Sequence, residues 1–149
     1  MKTIFTNASS SLLFILFTYT AISKLADYDH FRYTLSTSYY TGKFASTLVW
    51  SLPIGELLVS GLLLFRKTRV WGLYGSFILM TTFTCYIIFM LSYDQHLPCS
   101  CGGVIKQMSW KAHLYFNIVF TIISLSALLL EKTRRMTGNN YSGNTIMRQ

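Results

Sequence analysis

The sequence predicts an all-α membrane protein, a bundle of four transmembrane helices with both termini in the cytoplasm. Three observations predict it. Hydrophobic residues make up 52% of the 149-residue chain and charged residues only 12%, about half the charged share of a soluble globular domain. Four apolar blocks each reach the roughly 20 residues that cross a bilayer as a helix. The net charge of +8 comes from short basic runs between those blocks rather than from one amphipathic face. Such runs orient a protein in a membrane, and the balance points away from nucleic acid. With no internal repeat and no low-complexity run, residues 1–130 read as one transmembrane domain. Residues 131–149, ending "MTGNNYSGNTIMRQ", read as a polar, disordered cytoplasmic tail.

The first block runs from Ala8 to Leu25 through "SLLFILFTYTAI". Lys2 and the small-x-small pair Ala21 and Ser23 give it some features of a secretory signal, yet its run continues into Lys24, so a retained spanning helix is expected. The second block, Phe44 to Phe65, contains Pro53, where a kink is tolerable inside a bundle. The third is Val70 to Tyr93 and the fourth Ala112 to Leu130. Hydrocarbon offers no water to the peptide groups, so each block must satisfy its own backbone as a helix. Between the first two, "DYDHFRYTLSTSYY" predicts a short interfacial helix capped by Asp27 or Asp29, with His30 as a plain surface histidine. Tyr39, Tyr40, Tyr93 and Trp110 read as interfacial anchors.

Short-loop charges set the orientation. The second and third helices are joined by Arg66-Lys67-Thr68-Arg69, and the tail opens with Lys132, Arg134 and Arg135. Lys2 adds to that side, which is therefore cytoplasmic. On the other side Asp27 and Asp29 offset Arg32 and Lys43. The connection with Asp94, Lys106 and Lys111 then faces the periplasm of a bacterial inner membrane.

That connection carries "LPCSCGGV", with Cys99 and Cys101 one residue apart. In an oxidising compartment such thiols form and exchange disulfides. A bond across one intervening residue closes a small strained ring, and strained disulfides are labile and oxidising. Gly102 and Gly103 supply backbone freedom and Pro98 stiffens the entry. Two other readings stand beside exchange. The cysteines form a fixed structural pair, or Cys99 and Cys101 with His96 or His113 ligate copper or zinc. Cys85, in the middle of the third block, reads as a buried, inert thiol.

Ionisable groups inside the blocks narrow the search further. Glu56 lies near the middle of the second helix, where an unpaired carboxylate is costly, and Lys24 is its candidate partner. The pair reads either as a link between helices or as a proton-handling group. His113, Asn117, Thr121 and Ser124 share one face of the fourth helix. This stripe reads as interhelical glue, with His113 also a candidate tuner of the thiols.

Ser23-Lys24-Leu25 with the following aromatic loop, and "LPIGELLVSGLLLF" with Pro53 and Glu56, resemble the first two helices of the DoxX-like superfamily. "PCSCGGVIKQMSWKAHLYFN" resembles the methylamine-utilisation MauE family, in a Bacteroidetes-like branch. The resemblance covers roughly Ser11 to Leu130. It implies a four-helix inner-membrane protein that assists maturation of a periplasmic partner in methylamine metabolism. The architecture is also similar to that of vitamin K epoxide reductase-type oxidoreductases, which pass electrons between periplasmic thiols and a quinone. This chain departs from them in having Cys-x-Cys and no second cysteine pair in residues 26–43. The expectation is thiol–disulfide exchange or maturation of a periplasmic protein, with quinone as a candidate cofactor. The alternatives are copper or zinc handling and a non-catalytic scaffold within a membrane complex or homo-oligomer.

Overall fold

The structure, a computed structural model, describes residues 2–37, 41–93 and 110–146. The described residues are helical, with no strand among them. In chain order the helices are α1 (Lys2–Ala26), α2 (Tyr28–Thr37), α3 (Ala45–Leu64), α4 (Arg69–Tyr93) and α5 (Trp110–Ile146), with a 3-10 turn at Gly42–Phe44 leading into α3. Four of them are long and apolar enough to cross a membrane, over Thr3–Ala26, Gly42–Leu64, Arg69–Phe89 and Lys111–Arg134. The fifth, α2, is the short helix expected between the first two spans. It follows α1 after a one-residue break at Asp27, whose carbonyl accepts the Phe31 N–H at 3.0 Å.

The four spans pack in a ring. α1 contacts α3 and α5, α4 contacts the same two, and each neighbouring pair is antiparallel. α2 folds back on α3, where Phe31 and Leu35 close over Ala45 and Val49. The main core joins Leu13 and Phe17 of α1, Val59 and Leu63 of α3, Leu73 and Met80 of α4, and Ala127 and Leu128 of α5. Between 22% and 28% of each spanning window is buried in the bundle, so most of the apolar surface faces outward. Ile15, Trp71, Ile78, Tyr115 and Ile122 are among the exposed side chains. Lipid, not water, is the medium that such a surface fits.

Without a hydrophobic drive between helices in lipid, association depends on close approach and on hydrogen bonds. Both are present. Gly72 brings α4 onto α3 so tightly that a β-carbon there would lie 2.8 Å from the Leu63 backbone nitrogen, and one at Gly75 would lie 2.7 Å from Val59 Cγ2. The α3–α4 turn is closed by Thr68, whose hydroxyl donates to the Leu62 carbonyl at 2.9 Å, satisfying one of the acceptors left at a helix end. At the same end an Arg69 guanidinium nitrogen donates to Asn7 Oδ1 on α1, tying the two helix starts together.

The structure corrects two expectations. α5 continues as helix through Ile146, so the tail expected to be disordered is helical over residues 131–146. Its start is rich in good helix formers, and Glu131 pairs with Arg134 one turn on at 3.4 Å. Cys85 is exposed rather than packed inside. α4 buries Leu73, Ser76, Met80 and Ile87, and helical periodicity turns residue 85 to the opposite face. Tyr39 and Tyr40 lie outside the described residues, as do the side chains of Tyr93 and Trp110.

Candidate functional site

Glu56 is one of the most buried side chains in the protein, at 1% exposure. It lies on the face of α3 that meets α1. Four residues on, Ser60 is on the same face, and its hydroxyl is 2.7 Å from that of Thr18. Because α1 and α3 run antiparallel, stepping from Thr18 towards the end of α1 moves the contact from Ser60 back to Glu56. There the Lys24 Nζ donates to Glu56 Oε1 at 2.7 Å, and its side chain is 13% exposed. The long lysine stem lets a residue in the last turn of α1 reach the carboxylate from that end.

All five helices contribute to the surroundings of this ammonium group. α2 supplies the Phe31 ring, centred 6.0 Å from Nζ, and α4 the Phe83 ring at 5.8 Å. α5 supplies His113, half-buried and within electrostatic reach of Lys24. Two aromatic faces beside a cation stabilise it electrostatically while excluding water. Thr20 stands close enough to act on the carboxylate, but its hydroxyl donates to the Phe17 carbonyl at 3.2 Å. Glu56 Oε2 is fully enclosed and has no hydrogen-bond partner among the described residues. The arrangement is a charge pair in a water-poor, aromatic-walled setting with one acceptor unused.

The polar stripe of α5 separates into two parts. Asn117 and Ser124 are buried between helices, Ser124 Oγ donating to the Leu73 carbonyl of α4 at 3.4 Å. Thr121 Oγ1 donates to the Asn117 carbonyl at 2.7 Å and lies 3.4 Å from Thr84 Oγ1 of α4. These groups join α4 to α5. His113, at the other end of the stripe, belongs with the ion pair. Sequence reasoning reaches Lys24, Glu56 and His113 but misses Thr18, Ser60, Phe31 and Phe83. The i, i+4 spacing of Glu56 and Ser60 signals the shared face, whereas nothing local marks the two phenyl rings.

His96, Pro98, Cys99, Cys101, Gly102 and Gly103 lie outside the described residues. By chain order they belong to the connection from the end of α4 to the start of α5. Among the described residues no three His, Cys, Asp or Glu side chains form a group that could hold a metal ion.

Four spanning helices around a buried charge pair define a multi-pass α-helical membrane protein. The family model for Methylamine utilisation protein MauE matches residues 2–130. The chain belongs to the MauE family. Comparison with curated proteins and with solved structures returns no match.

Proposed function

We propose that this MauE-family protein is a thiol–disulfide exchange and maturation factor of the bacterial inner membrane, acting on a periplasmic protein partner. Cys99 and Cys101 are the exchanging pair. The observation that carries the reading is topological. The connection bearing both thiols joins the end of α4 to the start of α5, the bundle end towards which Lys24, Phe31 and His113 also lie. Basic residues at the other end, Arg66, Lys67, Arg69, Lys132 and Arg134, support a cytoplasmic assignment there, with both termini inside.

Exchange needs no group beyond the two sulfurs and the partner. In one direction a partner thiolate attacks the Cys99–Cys101 disulfide to give a mixed disulfide. The partner's second thiolate then breaks that bond, leaving the partner oxidised and both cysteines reduced. The strained ring closed across Ser100 favours this oxidising direction. A quinone is the proposed acceptor that returns the pair to the disulfide, supplying two-electron chemistry. Methylamine metabolism is the proposed pathway, after the methylamine-utilisation family to which the chain belongs.

Mass-resolved thiol alkylation in native membranes tests the proposal. Cys99 and Cys101 should shift between reduced and disulfide-bonded forms with added oxidant and with a periplasmic dithiol donor, and a Cys101→Ser variant should trap a mixed disulfide with the partner. A pair that stays reduced under oxidant overturns exchange. Stoichiometric copper or zinc lost on Cys101→Ser would select the metal reading instead. A Cys99→Ser/Cys101→Ser variant that still assembles with its partner and leaves it active would select the scaffold.

A further inference from the structure

We infer that Glu56 is a proton-binding site of the membrane domain, with Lys24 as the counter-charge that a bound proton replaces. The inference is independent of the cysteine chemistry.

It starts from the carboxylate's two oxygens, which have unequal surroundings. Oε1 accepts from Lys24 at 2.7 Å. Oε2 is enclosed by protein, with no hydrogen-bond partner among the described residues. A buried acceptor without a donor is costly, and more so when it carries charge. The atom has under 1 Å² of accessible area, so neither an ion nor a polar ligand reaches it without moving the helices. A proton needs no cavity. It is the one occupant that the enclosure admits as it stands.

The charges facing Glu56 are equally restrictive. From α1 it meets Lys24 and the Thr20 hydroxyl. α2 and α4 set the Phe31 and Phe83 rings beside the pair, and among the described residues neither brings a charge that acts on Glu56. From α5, His113 lies within electrostatic reach of the Lys24 charge. Among the described residues Lys24 is the one counter-charge that acts on Glu56, and a proton can replace it. The proton comes from the Lys24 end of the pair, since Lys24 is 13% exposed and Glu56 only 1%. A water-borne proton adds to the carboxylate, the donor's O–H bond breaking as the Glu56 O–H bond forms, and Lys24 keeps its own protons. The net change is one proton bound, giving a neutral Glu56 and an ammonium at Lys24 that no longer has a counter-ion. That ammonium keeps its two aromatic faces. The Thr18–Ser60 hydrogen bond at 2.7 Å still fixes α1 against α3 below, so loosening is confined to the Lys24 end.

Infrared spectra of the full-length chain in lipid nanodiscs, recorded across pH, test this directly. The chain has only five acidic residues, namely Asp27, Asp29, Glu56, Asp94 and Glu131, so the protonated-carboxyl band can be assigned by substitution. The expected result is a reversible band that Glu56→Gln removes and Asp29→Asn leaves in place. In Lys24→Met its midpoint should move towards tighter proton binding by about tenfold or more in proton concentration. Absence of such a band in the folded wild type overturns the inference, as does a band that survives Glu56→Gln. Should Glu56→Gln fail to fold, Lys24→Met decides. A displaced midpoint supports the site, and an unmoved one refutes it.

Discussion

Lys24 of α1 and Glu56 of α3 form a 2.7 Å ion pair in which the carboxylate is enclosed and the ammonium is flanked by Phe31 and Phe83. Removing one partner of such a pair strands a buried charge, whereas replacing both with apolar groups does not. Lys24→Ala should destabilise the bundle by about 3–5 kcal/mol, and Lys24→Met/Glu56→Leu should recover most of the loss. Unfolding in detergent by circular dichroism measures both. If the double variant is as unstable as the single, the pair does more for the fold than charge compensation.

Gly72 and Gly55 make a matched comparison. A β-carbon at Gly72 meets the backbone of Leu62 and Leu63 at 2.9 and 2.8 Å, while one at Gly55 meets nothing within 4 Å. Gly72→Ala should therefore force α4 away from α3 at a cost of about 1–3 kcal/mol. Gly55→Ala should be neutral or stabilising by up to about 1 kcal/mol, since alanine is the better helix former. Equal effects from the two variants would contradict the close α3–α4 approach.

The hydroxyls of Thr18 and Ser60 are 2.7 Å apart across α1 and α3. A double-mutant cycle with Thr18→Ala and Ser60→Ala should give a coupling of about 0.6 kcal/mol, the usual worth of an interhelical hydrogen bond in a membrane protein. Strict additivity would show that the two groups do not interact.

Cys85 faces outward from the middle of α4. It should resist a charged, impermeant maleimide in intact membranes and react once the chain is unfolded in denaturant. Cys85→Ala should alter stability by no more than about 0.5 kcal/mol. A larger cost would place the thiol inside the packed interface.

How much of this is legible in the sequence differs between elements. The spans can be read because burial in lipid demands long apolar runs, and a polar break as short as Arg66–Arg69 is visible against them. Their limits are harder. α1 extends back past Ala8, and Thr6, Ser9 and Ser10 are buried on it; small hydroxyl residues look the same in sequence whether they pack between helices or flank a span. Glu56 stands out because a carboxylate inside an apolar run has few physical explanations, and Lys24 follows as its nearest cation at that end. The Phe31 and Phe83 contacts are tertiary, since one of many phenylalanines at a lysine's side leaves no pattern. Cys85 shows the same limit in reverse. In a helix apolar on every side, hydrophobicity alone does not separate the face towards protein from the face towards lipid.

α5 runs without interruption over 37 residues, roughly 55 Å at 1.5 Å per residue, against a hydrocarbon layer of about 30 Å. Between Trp110 and Thr137 it has neither proline nor glycine, the usual sources of a hinge. A rod of that kind behaves as a lever with the bilayer as its fulcrum. Any tilt imposed near His113 swings the far arm, with Lys132, Arg134 and Arg135, through the opposite aqueous phase, so the two faces of the membrane are mechanically joined by one continuous element.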